Sequence, residues 1–322
     1  MRIAITGAGG FLGRRLAHAL LSDPRVERLV LADLAPVPSI AGDARIVPLA
    51  ANLAEAGAGE SIAEGADVIF HLAAVLSGQA EADFELGMGV NVQGTRRLLE
   101  AARAGGRRPR FVFTSSLAVF GPPLPPVVDD GTAVHPQSSY GTEKAIGELL
   151  VSDYSRRGYV DGRVLRLPTV CVRPGRPNAA ASSFVSGIIR EPLHGENAVC
   201  PVDRGLELWL SSPRAAVSNL VHGGSLPPEA LGTQRTINLP GITVTVDRMI
   251  ASLAAVAGPG AAARIEFRED PAACRIVSSW PSRFDVRRAL ALGFTGDTEF
   301  GALVRDFMAD EAAEKAVTQG RR

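Results

Sequence analysis

Short apolar runs alternate with stretches of helical periodicity along the first half of the chain. The runs are bounded by turns that contain glycine, proline or polar residues, which indicates strands separated from helices. The predicted strands span residues 2–5, 27–33, 44–49, 67–74, 110–121 and 162–170. Strands that alternate with helices in this order predict an α/β fold built on a doubly wound parallel sheet.

The second half of the chain contains shorter elements. We expect strands at residues 198–202, 207–211 and 235–241, and helices that begin near residues 184, 213 and 246. No internal repeat or low-complexity linker interrupts this pattern, so the second lobe is formed by returns of one continuous chain. The division that we predict is a first domain in residues 1–168 and a smaller α/β lobe mainly in residues 169–322, with some segments returning to the first domain.

A glycine-rich turn follows the first predicted strand and opens the first helix. Gly7, Gly10 and Gly13 permit a tight turn and a close approach of backbone N–H groups to a pyrophosphate. The pyrophosphate then lies at the positive end of the helix, whose first residues are Phe11 and Leu12. This order of strand, glycines and helix predicts a Rossmann-type domain that binds a dinucleotide.

An acidic residue ends the second predicted strand. Asp33 lies 20 residues after Gly13, where a carboxylate can accept hydrogen bonds from the adenosine ribose hydroxyls. The same carboxylate would repel a 2′-phosphate, and residues 34–36 contain no arginine to receive one. The predicted cofactor is therefore NAD rather than NADP.

Tyr140 and Lys144 lie four positions apart, on one face of a predicted helix. A nearby ammonium favours a phenolate, so we expect Lys144 to lower the pKa of Tyr140 toward the range where it can accept a proton. The spacing alone is common on ordinary amphipathic helices. The glycine-rich turn predicted in the same chain makes a catalytic role for the pair more credible than the spacing does.

The spacing Gly7-x-x-Gly10-x-x-Gly13, together with Tyr140 and Lys144, resembles the extended branch of the short-chain dehydrogenase/reductase superfamily. The resemblance runs continuously from residue 1 to about residue 175. It implies that the strand at residues 71–74 passes beside the cofactor.

The same resemblance assigns further cofactor-binding positions. Ala73 and Ala74 would lie against the nucleotide, and Asn52 with Leu53 would contact the adenine, although the family usually has Asp-Leu there. Asn91 falls in the family's Asn-x-x-Gly-Thr stretch and is counted with the cofactor site as a support for it. His71, by the same comparison, is a structural histidine.

The family's catalytic hydroxyl corresponds to Ser116, and Ser115 is the adjacent alternative. The resemblance implies that Tyr140 accepts the proton of a secondary alcohol, that Lys144 also holds the nicotinamide ribose, and that Ser116 positions the reacting oxygen. Tyr140 and Lys144 therefore belong to the cofactor site as well as to the catalytic one. Ser116 and Tyr140 also count as substrate-binding residues.

The predicted substrate is a small sugar acid oxidised at its 2-hydroxyl, because within the branch the chain is similar to dehydrogenases of that kind. Ser77 is a candidate for substrate contact, and Arg173 could bind a carboxylate, with a structural ion pair as an equal alternative. For Arg176 we favour a surface ion pair. Trp209 and Trp280 are expected to contribute to packing.

Two other functions are consistent with parts of the sequence. A nucleotide-sugar epimerase or dehydratase would recycle its NAD, but the residues after Leu165-Arg166 depart from the Asn-x-Tyr-Gly-Pro of such enzymes, and no arginine-rich pyrophosphate clamp is evident in residues 173–219. A non-catalytic NAD-sensing protein is disfavoured because Ser116, Tyr140 and Lys144 are all present.

The charge balance and the cysteines indicate which partners and which cellular compartment to expect. The 34 basic and 34 acidic residues balance, so we expect neither a nucleic-acid nor a membrane partner. The three cysteines are far apart and suit neither a metal site nor a disulfide framework. We therefore expect a cytoplasmic enzyme without a metal. The family resemblance suggests a homodimer built on the helix of Tyr140 and the predicted helix 85–102.

Overall fold

Strands and helices alternate along the chain as the sequence predicts. The computed structural model describes residues 1–37, 42–175 and 180–319. The strands are β1 (Arg2–Thr6), β2 (Arg28–Asp33), β3 (Ile46–Ala50), β4 (Val68–His71), β5 (Arg110–Ser116), β6 (Asp161–Leu167), β7 (Thr169–Val170), β8 (Ala198–Cys200), β9 (Glu207–Ser211), β10 (Thr236–Asn238), β11 (Ile242–Thr245) and β12 (Ile265–Phe267).

The α-helices range from one turn to five turns in length. They are α1 (Phe11–Leu21), α2 (Ala58–Ala63), α3 (Ser77–Ala82), α4 (Phe84–Gly87), α5 (Thr95–Ala104), α6 (Ser139–Arg156), α7 (Ser183–Leu193), α8 (Pro213–Ser225), α9 (Pro228–Leu231), α10 (Val246–Ala257), α11 (Pro259–Ala262), α12 (Pro271–Val277), α13 (Arg287–Ala291) and α14 (Phe300–Gln319). A 3₁₀ turn at Leu117–Val119 follows β5.

Seven parallel strands form the central sheet, in the order β10-β6-β5-β4-β1-β2-β3. This order confirms the doubly wound, Rossmann-type sheet. From β1 the strands are added toward one edge of the sheet as far as β3, and from β4 onward they are added toward the other edge. The carboxyl ends of β1 and β4 flank the crevice where ligands bind in such sheets.

Helices cover both faces of this sheet because successive strand residues point to opposite sides. On one face Ile3 and Ile5 pack with α1 and α8, whose buried residues include Leu16 and Leu220. On the other face Ala4 belongs to a second core with residues of α2, α5 and α6. The two cores fix the helices that carry the functional side chains.

The later elements form a second lobe around a separate core. β7, β9 and β11 make a three-stranded sheet, β8 and β12 pair beside it, and α7, α10 and α14 contribute to the same core. β10 and α8, in contrast, return to the central sheet. The division at residues 168 and 169 remains a prediction, although β7 begins at Thr169. No helix in the described ranges is both long and apolar enough to cross a bilayer.

The helix predicted at residues 85–102 differs from the expectation in its centre. α4 and α5 are joined by a π-helical segment, Met88–Gly94, which contains Asn91. The hydroxyl of Thr95, the first residue of α5, donates to the carbonyl oxygen of Asn91 in this segment over 2.6 Å. Single-turn π segments are frequent at functional sites, and hydrophobic periodicity alone does not reveal them.

A buried ion pair joins α6 to the sheet. Glu148 accepts hydrogen bonds from Arg166 of β6 on both carboxylate oxygens, at 2.8 and 2.6 Å, and one from the Ser115 hydroxyl of β5 at 2.5 Å. Both charged side chains are 6 % exposed. The guanidinium of Arg166 also lies 4.6 Å from the ring centre of Phe120. These contacts fix how far α6 can slide along β5 and β6.

Removal of the carboxylate charge should destabilise the protein, because a buried guanidinium without its partner is costly. We expect Glu148→Gln to lower the free energy of unfolding by about 3 kcal/mol in urea titrations. Asp153→Asn in the exposed Asp153–Arg156 pair of the same helix is the matched control and should change it little. A loss below about 1 kcal/mol for Glu148→Gln would contradict this account.

Candidate functional site

A cleft of about 930 Å³ opens along the carboxyl edge of the central sheet. Its walls come from the glycine-rich turn after β1, the ends of β2, β4 and β5, the first turns of α6, and segments that precede α7 and follow α12. The site residues predicted from the sequence that line it are Gly7, Gly10, Phe11, Leu12, Gly13, Asp33, Asn52, Leu53, Ala73, Ala74, Ser77, Ser115, Ser116, Tyr140, Lys144 and Arg173.

The glycine-rich turn is tight because two of its glycines have no room for a side chain. Gly7 has φ +70°, and a Cβ there would lie 2.7 Å from the backbone nitrogen of Ala73. A Cβ on Gly13 would lie 2.2 Å from the Gly7 carbonyl oxygen. Gly10 precedes α1 without any side-chain cap, so the first N–H groups of this helix remain available to an anion.

Asp33 is held at the end of β2 by the backbone. One carboxylate oxygen accepts from the Gly9 N–H at 2.8 Å and the other accepts from the Leu34 N–H at 2.8 Å. Each oxygen keeps acceptor capacity, because a carboxylate has about four acceptor sites. The carboxylate is thus positioned for a pair of ribose hydroxyls.

The residues beside Asp33 complete a mostly apolar wall. Asn52 accepts from the Ala54 N–H at 3.0 Å and donates to Glu55 at 3.0 Å, which fixes its amide at the edge of the cleft. Leu53 is 5 % exposed and lies beside Gly94. Together with the glycine-rich turn and the available N–H groups of α1, this wall has the chemistry that a dinucleotide needs.

Tyr140 and Lys144 lie on the first two turns of α6 and face the cleft. The Lys144 ammonium is buried, donates to the Thr114 carbonyl oxygen at 2.9 Å, and lies 5.7 Å from the ring centre of Tyr140. It also lies 4.8 Å from the ring centre of Phe113. The sequence pair therefore forms one site, as the helical spacing predicts.

The expected effect of Lys144 on the tyrosine is wrong for the protein by itself. Burial raises the pKa of Tyr140 to about 12, and a hydrogen bond with Ser116 and the charge of Arg173 oppose this rise only in part. Burial also lowers the pKa of Lys144 to about 8. The loss of hydration is the largest cause of the pKa shift at both side chains, and helical spacing does not reveal it.

The two serines at the end of β5 point to different partners. Ser115 donates to Glu148, so its hydroxyl is committed to the buried ion pair. Ser116 accepts from the Ala118 N–H at 3.2 Å and hydrogen-bonds to Tyr140. This geometry favours Ser116 over Ser115 as the hydroxyl that contacts a substrate oxygen.

His71 lies in a chain of buried hydrogen bonds. Thr6 Oγ1 accepts from the Ala73 N–H at 3.2 Å and lies 2.7 Å from His71 Nδ1. His71 Nε2 lies 2.9 Å from Thr95 Oγ1, whose own proton goes to Asn91. His71 must therefore carry its proton on Nε2, and burial lowers its pKa to about 3, so it is neutral. A structural role accounts for all of these contacts.

Asn91 is the one predicted site residue that does not line the cleft. Its side chain is 3 % exposed and contacts the backbone of Val75, which does line the cleft. The structure thus places Asn91 behind the wall, where it supports the site without reaching a cofactor. Sequence position alone could not separate these two arrangements.

The opposite end of the cleft brings the two lobes together. Ser77 accepts from the Ala181 N–H at 3.0 Å, which links the start of α3 to the segment before α7. Burial lowers the pKa of Arg173, and no ion pair joins it to a carboxylate within the described residues. Arg176 lies outside the described residues. Arg173 thus has no carboxylate with which to form the alternative ion pair in the described part of the chain.

The two tryptophans have different surroundings. Trp209 is 8 % exposed, and its ring centre lies 5.1 Å from that of Phe284, so it packs as expected. Trp280 packs partly against the second core but also lines the cleft. Trp280 thus contributes to packing as expected, and its place in the cleft wall is a further feature that the sequence does not predict. Its segment carries no local pattern that would indicate a site.

Other cleft residues were not selected from the sequence. Thr6, Gly9, Thr169 and Ser182 line the cleft, and Thr114 supplies the carbonyl oxygen that receives Lys144. Gly9 could have been found, since it belongs to the glycine-rich turn. Thr169 and Ser182 come from the second lobe, and only the tertiary fold brings them to β5 and α6.

The fold and the site define an NAD-dependent oxidoreductase of the extended short-chain dehydrogenase/reductase type. Residues 3–209 match the NAD dependent epimerase/dehydratase family. The chain belongs to this family, which confirms the resemblance inferred from the glycine and tyrosine–lysine motifs.

Two full-length relatives carry the same name. The chain is 52 % identical to D-erythronate dehydrogenase of Cupriavidus necator over 98 % of its length and 100 % of that protein. It is 50 % identical to D-erythronate dehydrogenase of Haemophilus influenzae over 96 % and 99 %.

Solved structures give the same fold. A nucleoside-diphosphate-sugar epimerase from Agrobacterium tumefaciens is 44 % identical with a TM-score of 0.92, and the match covers 97 % of this chain and 95 % of that one. L-threonine 3-dehydrogenase from Trypanosoma brucei is 25 % identical with a TM-score of 0.86, and 96 % of each chain is covered.

Lys144 should make stability depend on pH. Burial lowers its pKa from the ordinary 10.5 to about 8 in the folded protein, so between these pH values the unfolded chain binds more protons. The free energy of unfolding should therefore rise with pH in this window, and the whole unfavourable contribution is present below it. Tyr140, with its raised pKa, acts in the opposite direction only between about pH 10 and 12.

The comparison with Lys144→Met isolates this effect, because the chain has only one other lysine, Lys315. We expect the stability advantage of Lys144→Met to be largest near pH 7 and to shrink steadily by pH 9.5 in urea titrations. An advantage that stays constant over this range would show that Lys144 is not desolvated.

Proposed function

We propose that this protein oxidises the 2-hydroxyl of a small sugar acid with NAD, and that its substrate is D-erythronate and its product 2-dehydro-D-erythronate. The observation that carries this proposal is the convergence of Ser116, Tyr140 and Lys144 in one cleft with Arg173, whose cation has no carboxylate partner among the described residues. Its specific substrate follows from the names of the full-length relatives.

The cofactor residues of this proposal divide by position along the cleft. Gly7, Gly10, Phe11, Leu12 and Gly13 hold the pyrophosphate, and Asp33 accepts from the adenosine ribose. At the adenine end lie Asn52 and Leu53, and beside the nicotinamide half lie Ala73, Ala74, Tyr140 and Lys144. Asn91 supports this end from behind.

The bound NAD supplies the hydride acceptor, and the protein supplies proton transfer and orientation. Tyr140 accepts the proton of the 2-hydroxyl, while Ser116 donates a hydrogen bond to the same oxygen and holds it in place. Because burial disfavours the phenolate, the positive charges of Lys144 and Arg173 matter most during this transfer. A substrate that fills the site also removes water, which strengthens these attractions.

Arg173 and its surroundings suit a short carboxylate substrate. A guanidinium binds a carboxylate through two parallel hydrogen bonds, and a half-buried cation without a partner is unfavourable until an anion arrives. Thr169, Ser182 and Ser77 place hydroxyl groups in the same part of the cleft, where they can contact the hydroxyls of a sugar acid. Trp280 provides the apolar wall.

A second candidate is a nucleotide-sugar epimerase that retains its cofactor. The name of the Agrobacterium relative favours it. Against it stand the departure at residues 168–175 and the higher identity to the two dehydrogenases. The two candidates differ in whether NADH is released, and this decides the main experiment.

The enzyme should be a cytoplasmic homodimer built on α5 and α6. Leu149 of α6 is 68 % exposed, so an apolar side chain on this helix is available to a second copy of the chain. Cys171, Cys200 and Cys274 are unpaired, as suits a reducing compartment. Sedimentation velocity should give a mass of two chains, and Leu149→Glu should give one. A monomeric wild-type protein would refute the dimer.

The main test measures NADH absorbance with purified protein, NAD and a panel of four- to six-carbon aldonic acids. We expect multiple turnovers with D-erythronate, and loss of nearly all turnover in Tyr140→Phe with NADH binding retained. No release of NADH from any acid, combined with NAD that co-purifies with the protein, would instead support the epimerase.

Arg173→Met tests the carboxylate contact within the same assay. It should raise KM for D-erythronate by about 10- to 100-fold, because charged hydrogen bonds are lost, while the Kd for NADH stays the same. Arg173→Lys should recover only part of the loss, since an ammonium cannot bind a carboxylate in the same two-bond geometry. An unchanged KM would remove Arg173 from the substrate site.

A further inference from the structure

Glu143 is a buried acid that the proposed reaction does not use. It precedes Lys144 on α6, and its side chain turns away from the cleft toward α3, α4 and the π-helical segment. The residue is 1 % exposed, and burial raises the pKa of its carboxyl. Charged groups near it are Lys144 on its own helix and Glu81 on α3.

One oxygen of this carboxyl group holds Asn91. Glu143 Oε2 accepts from Asn91 Nδ2 over 2.6 Å. The same amide nitrogen donates to the Val75 carbonyl oxygen at 3.0 Å, and Asn91 Oδ1 accepts from the Val75 N–H at 2.8 Å. Both amide protons and the amide oxygen of Asn91 are thus used, and Glu143 is the acceptor that completes the set.

The other oxygen, Oε1, has no hydrogen-bond partner among the described residues although it is buried. The space that it occupies exists because residue 87 is a glycine. A Cβ on Gly87 would lie 2.2 Å from Oε1. A buried oxygen without a partner is unfavourable. The hydrogen bond that the other oxygen accepts from Asn91 compensates for part of this cost.

Val75 connects this arrangement to the cleft. It lies in the cleft wall between the cofactor-facing Ala74 and Ser77, which holds the segment before α7 through Ala181. β4 ends at His71, so the backbone of Val75 has no strand neighbour to fix it. The two hydrogen bonds between Asn91 and the Val75 backbone, one in each direction, replace that neighbour.

We infer that Glu143 is a positioning residue for the cofactor end of the cleft: it fixes the amide of Asn91, and through it the backbone of Val75. This inference concerns cofactor binding and does not depend on which substrate is oxidised. Glu143 itself touches neither cofactor nor substrate.

The test compares a leucine and a glutamine at position 143 by titration of NADH fluorescence. Glu143→Leu leaves one Asn91 proton without an acceptor and should weaken NADH binding about 10-fold. Glu143→Gln keeps an oxygen acceptor and should stay within about 3-fold of the wild type. With D-erythronate, KM for NAD should rise more than kcat falls.

Two controls separate positioning from general destabilisation. Val151→Ala removes buried volume from the same helix, so it should lower stability and leave the Kd for NADH unchanged. Gly87→Ala displaces the carboxyl group while Glu143 and Asn91 remain, and should weaken NADH binding in the same direction. Gly87→Ala provides the test if Glu143→Leu does not fold.

A double-mutant cycle supplies the decisive outcome. Asn91→Leu and Glu143→Leu together should weaken NADH binding no more than the stronger single change, because both act through Val75. Additive losses in the double variant would overturn the inference, and so would equal losses in Glu143→Gln and Glu143→Leu. A Kd for NADH that is unchanged in both single variants, Glu143→Leu and Gly87→Ala, would overturn it as well. The NADH titrations and the double-mutant cycle need no turnover, so failure of the proposed substrate would be seen separately, in the kinetic measurement with D-erythronate alone.

Discussion

The structure depends on how three buried ionisable side chains of one helix are satisfied. Lys144 donates to a carbonyl oxygen of β5, Glu148 pairs with Arg166 of β6, and Glu143 holds Asn91 of the π-helical segment. A buried charge without a partner is strongly unfavourable, so a shift of α6 in any direction would break one of these contacts. The helix is therefore fixed against three separate elements, and this also fixes the position of Tyr140 in its first turn.

The same burial that fixes the helix opposes the chemistry of its first turn. It raises the pKa of Tyr140 to about 12 and lowers that of Lys144 to about 8, so each group is pushed toward its neutral form. In the proposed reaction proton transfer needs the phenolate, and the charge of Arg173, which favours the phenolate, lies in the same cleft. A site of this kind is stable when it is neutral and becomes reactive as bound charges replace water.

Local motifs were enough to predict the Rossmann-type half and most of the cleft. Gly7, Gly13 and Asp33 could be assigned because their backbone geometry and spacing are set within one strand–turn–helix unit. Asn91 and Trp280 could not, since their positions depend on how distant segments pack. The pKa of Tyr140 was predicted in the wrong direction for the same reason: spacing gives the distance to Lys144, whereas desolvation depends on every neighbour.

Specificity in this fold arises where the second lobe closes the cleft. In the proposed reaction the glycine-rich turn, β4 and α6 contact only the cofactor and one reacting hydroxyl, so they could serve many substrates. Arg173, Ser182 and Trp280 come from segments that follow the sheet strand β6, and these segments are free to vary without disturbing the central sheet. The hydrogen bond from Ala181 to Ser77 joins the two parts at the substrate end. A change of substrate therefore requires changes in the second lobe, while the cofactor end, held by Asn91 and Glu143, can stay constant.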